Sequence, residues 1–258
     1  MGVGIDKKTC FSVLVGLICL CFLGCGPFGV QKEFETDSGL SGTVHAVREK
    51  RWQQIVDGMK AVDERWAKDL DACNPDSALA RLSQEATQNP TEVEEFELFR
   101  AVRLGYDWAR ATDGVFDPTA AVGSCPDPFN SASDWKKIRL FLEMQAISLR
   151  SPELRFDLDG LKDGFIIDLT VRGLARLGAQ GALLQRGPVT YAGGVNQEDQ
   201  PWTVPVTVDG ISVDLKFSGR AKAQLSTNNG QIQQSDLLEV YALASDSPIG
   251  RPLLSQKI

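Results

Sequence analysis

The stretch TVPVTVDGISVDLKF, residues 203–217, decides the fold class because it predicts two β-strands joined by a tight turn. Residues 203–208 and 211–217 are rich in Val, Thr and Ile, which favour strands. Asp209 and Gly210 between them are a strong signal for a two-residue hairpin turn. This half of the chain is therefore predicted to form antiparallel strands.

Other segments of the second half predict more short strands and one helix. Residues 146–149, 154–158 and 189–192 are predicted strands. Residues 164–177 have the pattern of a helix, and Gly178 ends it.

The first half of the chain is predicted to be mainly helical after a strand at 42–47. Residues 47–70 carry apolar side chains at steps of three and four, which predicts one helix. A capping residue at 76–77 predicts a short turn, and a capping box at 91–94 predicts a helix that ends near Gly114. Helices followed by strands predict an α+β fold, with helices packed on a largely antiparallel sheet.

Composition limits the classes of protein to which this chain can belong. It has 258 residues, of which 43% are hydrophobic and 24% charged, so it is neither disordered, collagen-like nor a polytopic membrane protein. A net charge of −7 gives no broad basic surface, so we expect no nucleic-acid partner.

Residues 1–24 are predicted to be a signal peptide. The apolar run at 11–23 is too short to span a bilayer as a helix and has the length of a signal-peptide core. Gly24 before Cys25 resembles a bacterial lipoprotein processing site, which predicts lipid attachment at Cys25. A plain secretory signal and an uncleaved anchor are the alternatives.

Lipid attachment at Cys25 predicts a protein of the bacterial cell envelope, anchored to the membrane on its extracytoplasmic side. Residues 25–40 are then a tether, and residues 41–258 form the domain. In that oxidising compartment Cys73 and Cys125 can pair as a disulfide, although two unpaired thiols agree equally well with the sequence.

Several catalytic arrangements are excluded by missing residues. His45 is the only histidine, and no nucleophile motif accompanies it, so we expect it to be structural. The sequence has no zinc-ligand spacing, no Walker A phosphate loop and no G-x-G-x-x-G fingerprint. An EF-hand calcium loop at 157–168 also fails, because Lys162 stands where the loop needs glycine.

Four acidic or glycine-rich turns remain as candidate ligand sites: TDGVFDPT at 112–119, FDLDGLKDG at 156–164, YAGG at 191–194 and STNNG at 226–230. Glycine turns let a ligand approach the backbone closely. The second turn leads into a helix, whose N-terminal N–H groups can bind a phosphate or another anion. The alternative is four tight turns on a twisted sheet, with aspartates as helix caps.

Together these segments resemble the FAD:protein FMN transferase family, the ApbE-type flavin transferases. The resemblance lies in the order and spacing of eight pieces between about residues 40 and 252. Residues 112–119 resemble the family's T-x-G-x-F-D-P-T, and residues 157–168 resemble D-L-G-G-I-A-K-G-x-x-x-D. The other six pieces are 42–43, 62–63 together with 74–82, 193–194, 201–202, 226–228 and 246–252.

The resemblance implies a fold related to the T-fold and a reaction on FAD. Family members bind FAD and a divalent metal, usually Mg²⁺, and transfer FMN to a Thr or Ser hydroxyl of a target protein with release of AMP. Some relatives use water instead and hydrolyse FAD to FMN and AMP. The targets are typically redox proteins at or outside the cytoplasmic membrane, so a flavin-acceptor redox protein is the expected partner.

The resemblance also assigns roles to individual residues. On the flavin and ribityl side of FAD it places Ser77, Asp117 and Thr119. At the pyrophosphate it places Gly160, Lys162 and Gly164. On the adenosine or acceptor side it places Gly193, Gly194 and Thr227. Asp163 and Lys162 are assigned to catalysis, and the backbone carbonyl of Lys162 to the metal.

The sequence departs from the family at several positions. Asp163 stands where the family has a lysine, and Asp159 where it has a glycine. The match is also short at its C-terminal end: family members continue to an A-D-x-x-x-T motif that binds the metal, and this chain lacks it. If the inverted charge at 163 is disabling, Asp163→Lys is predicted to strengthen FAD binding.

Three functions therefore remain open from the sequence. The first is an active transferase or FAD hydrolase with an altered metal site. The second is a degenerate family member that binds flavin or a protein partner without catalysis. The third is a surface lipoprotein that serves as an interaction module.

Overall fold

The structure is a computed structural model that describes residues 29–46, 48–120, 133–208 and 211–217. Three residues with predicted roles lie outside these ranges: Cys25, Cys125 and Thr227.

Within the described ranges the chain forms nine strands and four α-helices. The strands are β1 (Val30–Glu35), β2 (Leu40–Ala46), β3 (Thr91–Glu92), β4 (Ile138–Phe141), β5 (Ala146–Leu149), β6 (Ala179–Arg186), β7 (Val189–Gly194), β8 (Trp202–Val208) and β9 (Ile211–Phe217). The helices are α1 (Trp52–Asp69), α2 (Ala78–Ala86), α3 (Phe96–Ala111) and α4 (Asp159–Leu177). Two short 3-10 helices lie at Glu49–Arg51 and Trp135–Lys137.

The strands of each sheet pair in antiparallel fashion. A four-stranded sheet has the order β1-β2-β6-β7, and a smaller one has the order β3-β5-β4. Strands β8 and β9 form the predicted hairpin, with Val208 opposite Ile211. The predicted α+β fold with largely antiparallel strands is confirmed.

Helices α1 and α4 pack against each other and against the four-stranded sheet. The apolar stripe of α1 buries Ile55 and Met59 in one cluster with Ile167 of α4 and Leu184 of β6. A second cluster joins the other end of this helix pair to α2, α3 and the smaller sheet. Burial of apolar stripes in these two clusters holds α4 firmly, and the N-terminus of α4 is where the candidate site lies.

The prediction of a strand at 154–158 is wrong, because two of its backbone N–H groups donate to a side chain and to a loop carbonyl instead of to a neighbouring strand. The N–H of Phe156 donates to the Ser83 hydroxyl at 2.9 Å, and that of Asp157 donates to the Pro118 carbonyl at 2.8 Å. Helix α4 begins directly afterwards, at Asp159 instead of residue 164.

The capping box predicted at 91–94 is also wrong. Thr91–Glu92 pairs with β5, and the N–H of Val93 donates to the Gln145 carbonyl at 2.9 Å, so α3 begins only at Phe96. Part of the range predicted as a tether, 25–40, is instead strand β1, which pairs with β2 along its whole length.

Cys73 is disulfide-bonded, so the alternative of an unpaired thiol is wrong for this residue. Cys125, the partner that the sequence offers, lies outside the described residues. None of the helices in the described ranges has the length and apolar character that a membrane span requires.

Candidate functional site

The predicted phosphate-binding turn forms the start of α4. The N–H of Lys162 donates to the Leu158 carbonyl at 2.8 Å, and the Asp157 carboxylate accepts from the N–H of Asp159 at 2.9 Å. Gly160 is exposed at this end, where the helix carries the positive end of its dipole. An exposed helix N-terminus of this kind can bind phosphate groups.

The turn at 112–119 packs against this helix start. The bond from Asp157 to the Pro118 carbonyl joins the two segments, and a Cβ on Gly160 would lie 3.1 Å from the Phe116 ring. The structure therefore brings together the two turns in which the sequence most closely follows the flavin transferases.

Asp117 and Thr119 use their polar atoms to hold this turn in shape. Asp117 Oδ1 accepts from the N–H and the hydroxyl of Thr119, at 2.8 Å and 2.7 Å. Asp117 Oδ2 accepts from the N–H of Trp135 at 3.3 Å, and the Thr119 hydroxyl accepts from the N–H of Asp134 at 2.9 Å. Their contact with a flavin stays a prediction.

Lys162 and Asp163 have different partners, as expected for neighbours about 100° apart around a helix. Lys162 Nζ lies 2.5 Å from Asp159 Oδ1 in a partly exposed ion pair. Asp163 forms an ion pair with Arg186, the last residue of β6. Burial raises the pKa of the Asp163 carboxyl, and the Arg186 guanidinium acts in the opposite direction.

Arg186 also binds Asp63 of α1, and the sequence did not predict either residue for the site. Arg186 Nε lies 2.7 Å from Asp63 Oδ1, and Asp63 is fully buried. Asp63 Oδ2 accepts from the Thr36 hydroxyl and from the N–H of Leu40. One guanidinium thus links α1, α4 and β6.

A signal for this network was present in the sequence of α1. The buried residues of this helix are Ile55, Met59, Asp63 and Trp66, so Asp63 lies on the apolar stripe. A carboxylate on such a stripe needs a buried partner, because an unpaired buried charge is costly. The identity of that partner depends on how α1 packs against β6, which the sequence does not show.

Ser77 and Gly164, two further predicted ligands of FAD, are buried. The Ser77 hydroxyl caps α2 by accepting from the N–H of Ala80 at 3.0 Å. Gly164 lies one turn into α4, on its buried side. Both roles in FAD binding stay predictions, and Ser77 has a structural role as a helix cap.

Gly193 and Gly194 lie far from the start of α4. They pair with Ala182 and Gly181, at the end of the β6–β7 hairpin opposite its turn. Gly194 lies five residue steps beyond Val189 along β7, or about 17 Å away. The structure does not bring this glycine pair to the helix N-terminus, and their role on the adenosine or acceptor side stays a prediction.

A different glycine, Gly187 in the turn after Arg186, lies close to the first turns of α4. A Cβ on Gly187 would collide with the Asp163 carboxylate. The sequence prediction missed this residue, although a Gly-Pro pair at 187–188 is a turn signal.

The described residues do not assemble a magnesium site. Among them, no group of three or more His, Cys, Asp and Glu side chains is placed to hold a metal ion. The carboxylates of Asp159 and Asp163 are engaged by Lys162 and Arg186. Mg²⁺ takes several oxygen ligands, carboxylates among them, so the Lys162 carbonyl alone does not fit the ion. The metal role of Lys162 stays a prediction.

Solved structures of flavin transferases share this fold. The flavin transferase ApbE from Vibrio cholerae matches with a TM-score of 0.59 and 17% identity, over 72% of this chain and 68% of that one. The flavinyl transferase ApbE of Pseudomonas stutzeri, in its apo form, matches with a TM-score of 0.59 and 17% identity, over 73% of this chain and 66% of that one. The ApbE protein from Thermotoga maritima matches with a TM-score of 0.63 and 16% identity, over 83% of this chain and 75% of that one.

The fold is therefore that of the solved flavin transferases. The model of the ApbE family matches residues 40–228, which is most of the chain. The chain belongs to the ApbE family, whose members are flavin transferases that use FAD. Comparison with curated protein sequences gives no significant match.

Proposed function

We propose that this protein transfers FMN from FAD to a threonine or serine hydroxyl of a target protein and releases AMP. One observation carries the proposal: the exposed N-terminus of α4, with Lys162 in its first turn, packs on the turn that contains Asp117 and Thr119. Membership of the ApbE family supports flavin transfer as the reaction class.

In this reaction the acceptor hydroxyl oxygen attacks the phosphorus of the FMN half of FAD. The bond from that phosphorus to the bridging oxygen breaks, AMP leaves with the bridging oxygen, and the hydroxyl proton is released. Charge on the phosphoryl oxygens must be balanced throughout, so catalysis depends on well-placed positive groups. The positive end of the α4 dipole at the exposed Gly160 and the ammonium group of Lys162 are such groups.

Lys162 is able to exchange its partner for a phosphate. Its ion pair with Asp159 is partly exposed on both sides, and pairs of this kind contribute about 1 kcal/mol or less. A pyrophosphate at the start of α4 carries more negative charge than the single Asp159 carboxylate. We therefore assign Lys162 to the pyrophosphate.

We expect Lys162→Met to lower AMP release at least tenfold, because it removes the cation and keeps the length of the side chain. The assay combines the protein with FAD, magnesium chloride and a flavin-acceptor domain, and measures AMP together with flavin fluorescence of the acceptor on a denaturing gel. Lys60→Met is the control, since Lys60 lies on α1 and pairs with Asp37 at the surface. Equal AMP release by both variants would contradict the role of Lys162.

The wild-type result decides between the candidate functions. A fluorescent acceptor band with AMP supports the transferase, and AMP without the band supports FAD hydrolysis. A second candidate is a degenerate member that binds flavin without catalysis, favoured by the lack of a metal-binding group among the described residues. Flavin binding without AMP release supports that candidate. Neither binding nor AMP release supports the interaction module.

We also propose that the protein is a lipoprotein of the bacterial cell envelope, anchored at Cys25 and acting on a redox protein near the membrane. Strand β1 begins at Val30, five residues after Cys25, so the connection spans at most about 18 Å. So short a connection would hold the domain close to the bilayer, within reach of membrane-bound acceptors.

We expect Cys25→Ser to abolish the attachment of a labelled fatty acid to the protein, because serine at this position cannot carry the lipid. Metabolic labelling followed by immunoprecipitation measures the change. Cys21→Ser, a change in the same leader, is the control and should keep the label. Equal labelling of the two variants would contradict lipid attachment at Cys25.

A further inference from the structure

We propose that Arg186 is a positioning residue of the flavin site, which offsets part of the charge of Asp163 and holds it beside the β6–β7 turn so that the start of α4 accepts the pyrophosphate of FAD. The inference rests on the proposed function, because it gives Arg186 a part in binding the same substrate. It accounts for a phosphate site in a chain that has a carboxylate where the family has a lysine.

The guanidinium of Arg186 is held in three directions. Nε donates to Asp63 Oδ1 at 2.7 Å, Nη1 donates to Asp163, and Nη2 donates to the Ser38 carbonyl at 3.2 Å. Only 6% of Arg186 is exposed. A planar guanidinium fixed in this way has a defined position, and that position determines where the Asp163 carboxylate lies.

The turn after Arg186 leaves room for this arrangement. Gly187 has a φ of +53° and precedes Pro188, a pattern typical of a type II′ hairpin turn. Because a Cβ at this position would collide with Asp163, glycine lets the carboxylate rest against the turn. The carboxylate of Asp163 is thereby directed to Arg186, while Asp159 on the same face of the helix pairs with Lys162.

The charge balance at the start of α4 depends on Arg186. Asp159 is paired with Lys162, and Asp163 shares the Arg186 guanidinium with Asp63. Gly160 and Asp163 are three residues apart, so they lie on one face of the helix about 5–6 Å from each other. Without Arg186, an uncompensated carboxylate would repel a pyrophosphate bound at Gly160.

This geometry changes the expectation for Asp163→Lys. A lysine at 163 would face the Arg186 guanidinium and place two cations together where little solvent reaches them. The neutral variant Asp163→Asn is more informative, because it removes the charge and keeps an oxygen that accepts from Arg186.

The test is the dissociation constant of FAD, measured by flavin fluorescence at constant pH and salt. We expect Asp163→Asn to bind FAD at least fivefold more tightly, since it removes the negative charge and keeps Arg186. Arg186→Met should bind at least tenfold more weakly, and Arg186→Lys, which keeps the charge but cannot make all three contacts, should fall between Arg186→Met and the wild type. Asp107→Asn, which removes a carboxylate on α3, is the matched control and should bind like the wild type.

The outcomes separate this inference from the proposed function. If the wild-type protein binds neither FAD nor inorganic pyrophosphate, both fail. If it binds FAD but Asp163→Asn binds no more tightly, the role of Arg186 in charge balance is overturned and the proposed function stands. Asp163→Asn decides the question if Arg186→Met does not fold. Recovery of wild-type affinity in the Arg186→Met, Asp163→Asn double variant would support charge compensation over a purely structural role.

Discussion

Arg186→Met is expected to lower the free energy of unfolding by about 3–5 kcal/mol. The substitution leaves Asp63 and Asp163 without their cation, and Asp63 is fully buried. Removing one partner of a buried ion pair is costly because the remaining charge has neither water nor a counter-ion. Methionine keeps much of the apolar stem, so the loss measures mainly the missing charge and hydrogen bonds.

Urea denaturation of both proteins, followed by circular dichroism, measures this loss. Arg103→Met is the matched control, because Arg103 Nε lies 3.6 Å from Asp107 Oδ2 in a pair that is about half exposed. The control should change the stability by about 0.5 kcal/mol or less. Similar losses in the two variants would show that Arg186 does not join α1 and α4 as described.

Gly105→Leu is expected to destabilise the protein by about 2–3 kcal/mol and to weaken FAD binding as well. A Cβ on Gly105 would lie 2.9 Å from Leu158 Cδ2 and 3.0 Å from Pro118 Cβ. Gly105 lies on α3 where the two candidate ligand-binding segments meet. A leucine there would push Pro118 away from Asp157 and break the bond that joins the segments.

Thermal unfolding and FAD titration together test this effect. Gly173→Leu on α4 is the control, since a Cβ on Gly173 would meet nothing within 4 Å. The control should be neutral or slightly stabilising, because leucine favours a helix over glycine by up to about 1 kcal/mol. If Gly105→Leu left both stability and FAD binding unchanged, the described packing of α3 against the site would be wrong.

Helices with a strong apolar period were predicted well from the sequence. The stripe of α1 and the end of α4 at Gly178 appear in the structure as expected, and so does the hairpin of β8 and β9. These features depend on the chemistry of neighbouring residues, which a sequence displays directly. Errors of a few residues arose at helix starts, where pairing of the flanking segments decided the boundary.

Strand β6 shows why other elements were missed. Its sequence, AQGALLQR, contains no β-branched or aromatic residue, so local preference did not predict a strand. It is a strand because β2 and β7 pair with it on both sides. The opposite error occurred at 154–158, where apolar residues predicted a strand but Ser83 and Pro118 take the backbone N–H groups.

The same division holds for the candidate site. By itself the sequence determined the chemistry of the two turns at 112–119 and 156–164, and family membership with it, because aspartates, glycines and their spacing lie within short segments. Only the tertiary structure decided that these turns meet, and that Arg186 faces both Asp63 and Asp163. These contacts join residues 23 to 123 positions apart, and such pairings arise from how α1, α3 and α4 pack on the strands and loops, not from local sequence.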